Sequence, residues 1–313
     1  MAKHEVVQVG VRPATRGIRW RSTAMRRMAL AYALVAPVVL WRLVTSVYPF
    51  LYTAYLSFFD YSPVRRSFDF IGLENYAQVA ADRNVQQSFN FTFVFTVDSM
   101  VLQIVLALAL AEMLNRQFPL RGLVRAINLL PWALAAIVTG YAARWVFNTD
   151  YGLLNDIIWR ITGLRPIWLT NAFSARAAVV LVDVWKNTAF LTIIFLTGLQ
   201  GIPHELYEAA KIDGADSIRA YRYITLPLML PLIISMAIFG AIARVLSFEV
   251  VYSLTEGGPG VATALMSYLV YLQAFRVLNF GYASALSMVL FGIVLVVGLS
   301  GFAVLRRVWA RVG

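Results

Sequence analysis

The chain has 313 residues, 60% of them hydrophobic and only 14% charged, with a positive mean hydropathy. That leaves too little polar surface to cover a soluble globule of this size, so the bilayer is the expected solvent. The absence of cysteine excludes disulfides, thiolate catalysis and cysteine-based metal sites.

Residues 1–27 are basic and lack the apolar core of a cleavable signal, so they read as a retained tail held at an anionic leaflet. Apolar runs of about 20 residues, each enough to cross about 30 Å of hydrocarbon as a helix, follow near 28–50, 89–114, 124–147, 177–199, 224–247 and 281–305. The expected fold is an all-α membrane protein with six transmembrane helices. Positive residues set its orientation, because cytoplasmic segments retain Lys and Arg. Lys3, Arg12, Arg16, Arg19, Arg21, Arg26 and Arg27 lie in the tail; Arg116, Arg121 and Arg125 follow the second run; Lys211, Arg219 and Arg222 follow the fourth; Arg306, Arg307 and Arg311 close the chain. The opposite connections hold only Arg65, Arg66, Arg83, Arg160, Arg165, Arg176 and Arg276. Both termini are therefore expected in the cytoplasm. The net charge of +11 is dispersed over these flanks and gathers on no single soluble face, which sets nucleic acid aside and leaves lipid as the partner of the charge.

The connection between the fourth and fifth runs, about 201–223, is the polar island of the chain. Pro203 suits the first turn of a helix, and Glu205 lies near the positive end of its dipole. Leu206, Ala209, Ala210 and Asp213 then share a helical stripe whose alanines allow close packing by another surface. Gly214 supplies a left-handed cap. Asp216 is placed to cap a second short helix from Ser217 to about Tyr223, and Leu226, Pro227 and Pro231 mark entry into the fifth span. The expected loop is a rigid helix-turn-helix.

Glu208-Ala209-Ala210, then Gly214, then nine residues, then Ile224-Thr225-Leu226-Pro227 resembles the cytoplasmic coupling motif of permease subunits in binding-protein-dependent ABC importers. Weaker supporting pieces are Phe70 to Tyr76, Trp185 to Gln200, Thr255 to Pro259 and Gly281 to Ala285. With them, the wider match resembles the carbohydrate-uptake group, of maltose and glycerol-3-phosphate permease type, over about 30–305. The resemblance implies a type I importer permease fold in the bacterial inner membrane, with residues 28–313 as the permease domain. It also implies that Glu208, Ala209, Ala210, Asp213, Gly214, Leu226 and Pro227 form the coupling contact, Glu208 facing a basic residue of an ATPase subunit. A second permease subunit, two ATPase subunits and an extracytoplasmic solute-binding protein complete the implied assembly.

No lysine follows a glycine: Lys3 follows Ala2, Lys186 follows Trp185 and Lys211 follows Ala210. The phosphate-cradling loop G-x-x-x-x-G-K-[ST] is therefore absent, the chain is not expected to be an enzyme or to hold a cofactor, and ATP with Mg belongs on partner subunits. Gly152 and Gly257-Gly258-Pro259-Gly260 read as external turns. His4 and His204 are the only imidazoles and are too far apart in sequence to suggest a metal site; each reads as a solvated or cap-side histidine.

Ionisable residues within or beside the runs, Arg42, Asp98, Arg144, Asp183, Lys186, Arg244 and Glu249, mark a polar path or a structural pair. For Arg42, Arg144 and Arg244 the alternative is snorkelling to the interface. For Asp183 and Lys186 it is a local ion pair three residues apart. A sugar path wants hydroxyl-binding groups beside flat rings, and Asp98, Gln103, Lys186, Asn187, Glu249 and Tyr252 are the candidates. Trp145 and Trp185 fit an interfacial belt at least as well. The alternative function is an ion-gradient-driven secondary transporter of a small polar solute, with Asp98 and Glu249 as its ionisable groups.

Overall fold

The computed structural model describes residues 17–312, with side chains over 25–310. Lys3, His4, Arg12 and Arg16 lie outside the described residues, as do the side chains of Arg19, Arg21 and Arg311. The chain divides into two units, Met1–Tyr52 and Thr53–Gly313.

In the first unit, α1 (Gly17–Arg42) runs through a π-helical turn, Leu43–Val47, into α2 (Tyr48–Leu56), whose end belongs to the second unit. The wide turn has a local cause. Pro49 has no N–H, and its ring would press on the carbonyl of Thr45 four residues earlier. Widening the turn moves that carbonyl away, and Tyr48 N–H reaches back to Leu43 O. All side chains from Met25 to Tyr52 are exposed, as suits a lipid-facing helix.

The second unit begins with an antiparallel hairpin absent from the all-α expectation, β1 (Phe59–Ser62) and β2 (Ser67–Phe70), in the register Phe59 opposite Phe70 to Ser62 opposite Ser67. Its strands are aromatic-rich, as pleated structure favours. Asn75, buried in α3 (Glu74–Ala81), donates to Ser57 O and Phe59 O at 2.9 Å and anchors it. Then come α4 (Arg83–Asn115), α5 (Arg121–Ala133), α6 (Ala136–Val146), α7 (Leu153–Thr162) and α8 (Ala172–Gln200). The coupling segment holds α9 (His204–Ile212) and α10 (Ser217–Ala220), and α11 (Leu226–Val245), α12 (Glu249–Leu254), α13 (Met266–Tyr271) and α14 (Phe280–Val312) complete the chain.

Among the described residues, five helical stretches are long and apolar enough to cross a membrane: Met25–Leu56, Arg83–Asn115, Ala172–Gln200, Ser217–Val245 and Phe280–Ala310. The third expected span, 124–147, is instead a pair, α5 and α6, bent by 93°. It makes the sixth crossing if counted as one. Leu134 and Ala135 are extended at the break, so carbonyls in the last turn of α5 lose their helical donors. The Lys186 ammonium supplies the replacement, donating to Trp132 O at 3.0 Å and Leu134 O at 2.7 Å.

The expected separate helix from Ser217 to Tyr223 is also corrected. α10 continues through a π-helical turn, Tyr221–Thr225, directly into α11, with Leu226 N–H on Tyr221 O. Pro227 acts here as Pro49 does in the first span, and one continuous helix results.

α4 and α8 form the spine of the second unit. They run parallel and share two apolar clusters: Phe91 and Phe95 with Ala178, Val179 and Val182 towards their N-termini, and Ala107, Ala111 and Leu114 with Leu191, Phe195 and Leu199 towards their C-termini. Between the clusters lies a polar layer of Ser99, Gln103, Asp183, Lys186 and Thr188. Several hydroxyls bond within their own helix, Thr92 to Ser88 O and Thr188 to Val184 O among them, the usual way to satisfy a hydroxyl without water.

Gly281 opens α14 against the hairpin, and a Cβ there would lie 2.0 Å from Phe59 O. Gly281→Ala is expected to cost about 1–3 kcal/mol, as for other overpacked sites. Gly292→Ala, where a Cβ meets nothing within 4 Å inside the same helix, should keep or raise stability by up to about 1 kcal/mol; thermal unfolding in detergent compares the two.

Candidate functional site

Two places carry the polar residues singled out by sequence: a cavity at the polar layer and the loop from α8 to α11. The cavity, of about 480 Å³, is bounded by α4, α5, α8 and α11 with the first residues of α6 and α12, and includes Gln103, Asp183, Lys186, Asn187, Arg244 and Glu249 in its lining. One wall is the stacked pair Trp132 and Phe190, with centroids 5.0 Å apart and planes inclined by 18°.

Asp183 does not pair with Lys186 three residues on. Its Oδ2 accepts from Arg244 Nε at 2.8 Å, and its Oδ1 from Asn187 at 2.8 Å. Arg244 is 4% exposed, so it does not snorkel. Its Nη1 donates to Met100 Sδ at 2.9 Å and Gly240 O at 3.1 Å, and its Nη2 to Gln103. The guanidinium thus ties α4, α8 and α11 together with four of its five N–H donors committed. Lys186, likewise buried, spends two protons on the α5 break.

Of the six path candidates, Gln103, Lys186, Asn187 and Glu249 line this cavity; Asp98 and Tyr252 are absent from its lining. Asp98 is exposed on another face of α4, since five residues on a helix turn about 140°. Tyr252 belongs to an aromatic group with Phe248 at 5.2 Å and Tyr271 at 5.4 Å. A hydrogen bond with Tyr271 raises its phenol above the usual tyrosine value. Trp185 lies on a separate apolar groove with Leu181 and Val138, and Arg144 pairs with Glu256 at 2.8 Å. Sequence reading missed Trp132 and Phe190 as a ring wall. The signal present was Trp132 following Pro131, but pairing it with Phe190 needs the bend.

In the loop, Pro203 is the residue just before α9 rather than its first turn. Ala215 N–H bonds to Ala210 O at 2.8 Å and Gly214 N–H to Lys211 O at 3.1 Å, with Gly214 at φ 77°. This is a complete Schellman ending. A Cβ at Gly214 would meet nothing within 4 Å, so glycine is required by backbone angle and not by space. Asp216 caps α10 through Arg219 N–H at 2.7 Å, as its position suggested. Tyr207 Oη lies 2.8 Å from the buried Thr225 Oγ1 and fastens α9 to the base of α11.

With α9 so fixed, Leu206, Glu208, Ala209, Ile212 and Asp213 remain on its outside, and Ala210 is half-buried. His204 Nδ1 is 3.2 Å from Glu208 Oε1, so this histidine rests against the motif carboxylate. Leu226 and Pro227 are exposed on the first turn of α11.

A shaped, exposed helix between two spans, with a polar cavity farther along the same helices, is an arrangement with known counterparts. Residues 103–311 match the family described as binding-protein-dependent transport system inner membrane component. The chain belongs to that family. This inner membrane component, a multi-pass membrane protein, is 37% identical over 271 residues to the trehalose/maltose transport system permease protein MalF of Thermococcus litoralis, covering 86% of this chain and 91% of that protein. It is 34% identical over 294 residues to the sulfoquinovosyl glycerol transport system permease protein SmoG of Agrobacterium fabrum, covering 94% and 95%. Permease subunits of this kind are not themselves enzymes. A chain of a bacterial alginate ABC transporter, solved in complex with alginate pentasaccharide-bound periplasmic protein, superposes with a TM-score of 0.81 at 22% identity, over 91% of this component and 97% of that chain. That likeness shows the type I permease fold.

Removing one partner of a buried ion pair strands the other, at a cost of about 3–5 kcal/mol, whereas removing both together costs less. Asp183→Asn and Arg244→Met should each show such a loss in chemical denaturation in mixed micelles, and the double variant should be more stable than the sum of the two predicts.

Proposed function

We propose that this chain is the membrane-spanning subunit of an ATP-driven importer, forming half of the translocation pathway for a sugar or related polyol-phosphate solute. The observation that carries the reading is α9: a helix that exposes Glu208 and Ala209 beside the half-buried Ala210, with its end fixed by the Schellman turn at Gly214. Glu208, Ala209, Ala210, Asp213, Gly214, Leu226 and Pro227 make the contact with a separate ATPase in this scheme. The relatives' solutes, trehalose, maltose and sulfoquinovosyl glycerol, support the carbohydrate class.

The assembly comprises this subunit, a second permease subunit, two ATPase subunits that bind ATP and Mg, and an extracytoplasmic solute-binding protein. The basic tail, 1–27, stays at the cytoplasmic leaflet, and 28–313 is the permease domain. Gln103, Lys186, Asn187 and Glu249 border the solute path at the cavity. Family membership favours this reading over a gradient-driven transporter using Asp98 and Glu249.

The test is uptake by the complete importer in proteoliposomes. Glu208→Ala should release the ATPase or leave ATP hydrolysis running without uptake. Gly214→Ala, which forces a left-handed angle costing about 1–2 kcal/mol, should do so partially, and Gly214→Asn less. Unchanged uptake together with unchanged ATPase docking in Glu208→Ala would falsify the coupling assignment.

A further inference from the structure

Neither the cavity nor the coupling loop accounts for Asp98. It stands beside Ser99, the middle residue of the Arg83–Asn115 span, with about 20 Å or more of helix on either side at 1.5 Å per residue. A long Lys or Arg stem can carry its charge from mid-span towards the interface, but a carboxylate one methylene from the backbone cannot. Asp98 is exposed, and among the described residues it forms no ion pair or hydrogen bond.

The surroundings narrow what covers it. Val94, Val97, Val101, Leu102 and Val105 are exposed along the same face of α4, and each is apolar. Hydrocarbon offers a carboxylate no partner, so this face does not suit lipid. A water-filled path offers a charge polar neighbours, as the cavity does on the other side of α4 with Gln103 and Arg244; here the neighbours are valines. Valine keeps essentially one rotamer in a helix, so it gives up little freedom when another helix packs on it. An apolar stripe with one acceptor at its centre fits a dry protein contact that brings a cationic donor to that depth.

We infer that this face of α4 docks the second permease subunit, and that the subunit presents an Arg or Lys to Asp98 at mid-membrane depth. The inference rests on the reading of the chain as one of two permease subunits, and it adds the surface and the chemistry of their contact.

The test uses the complete importer, expressed with photoreactive p-benzoylphenylalanine in place of Val101, one turn from Asp98, and irradiated in the membrane. Mass spectrometry should find a span of the second permease subunit captured, with an Arg or Lys in that span. Asp98→Asn should lower the amount of that subunit retained on the tagged chain in mild detergent by about tenfold, the scale of one charge-assisted hydrogen bond. Asp98→Glu, which keeps the charge, should recover most of it. Capture of lipid alone overturns the inference, as does capture of this chain's own first span, where Arg42 is also exposed near the middle of Met25–Leu56. A captured partner span without Arg or Lys, or full retention in Asp98→Asn, overturns it equally. In these cases a wild-type chain that still brings down its ATPase subunits keeps the importer reading intact. A wild-type chain that retains neither ATPase nor second permease removes both.

Discussion

Hydrocarbon offers no water to a backbone group that has lost its partner, and this constraint organises the second unit of the chain. The break between α5 and α6 frees carbonyls in what reads as the membrane interior, and the structure answers with a cation on the neighbouring helix, Lys186, which donates to Trp132 O and Leu134 O. Proline in a span raises the same difficulty. The chain meets it at Pro49 and Pro227 by widening the preceding turn, so that Tyr48 and Leu226 bond five residues back. The threonine hydroxyls of Thr92 and Thr96 on α4 and of Thr188 and Thr192 on α8 return to carbonyls of their own helix. What looks from composition like a scattering of polar residues in apolar runs is largely backbone repair.

The buried Asp183–Arg244 pair acts on the other scale, between helices. Its partners stand on α8 and α11, the same two helices that the coupling loop joins. At the loop they are held by the α9 ending and by Tyr207 against Thr225. At the cavity they are held by a charge-assisted bond of 2.8 Å, braced by Gln103 from α4. From Gln200 back to Asp183 is about 26 Å of helix at 1.5 Å per residue. Two stiff helices fastened at both ends form a frame, and a frame carries a displacement of α9 to the cavity where a hinged pair would absorb it.

Much of this was legible in the sequence, for reasons that differ by element. The long spans were read from apolar length, a signal that depends only on bilayer thickness. The α9 ending was read from Gly214 and the cap of α10 from Asp216, because both obey local backbone rules. The bend was not legible: Pro131 lies inside α5 three residues before Leu134, and what makes a break tolerable there is an ammonium 52 residues further along the chain. The pairing of Asp183 failed for the same reason. Spacing on one helix favours Lys186, but Arg244 is 61 residues away and brings a planar fork that meets a carboxylate and an amide oxygen at once. The hairpin at 59–70 went unseen because its strands have four residues each, too few to show alternation.

These distinctions bear on what an ionisable residue inside a membrane protein signifies. Treating every intramembrane charge as a functional candidate gave Lys186 and Glu249 equal standing, and the structure separates them by how many of their valences are already spent. Arg244 and Asp183 neutralise each other, and Lys186 is committed to the backbone, so the first group fixes the geometry of the cavity and leaves little to offer a ligand. Glu249 is exposed beside the open volume and Trp132 lines it, while Asn187 donates its amide protons to Asp183. Residues that build a cavity and residues that read its contents can share one lining, and counting unsatisfied hydrogen-bonding capacity tells them apart where charge alone does not.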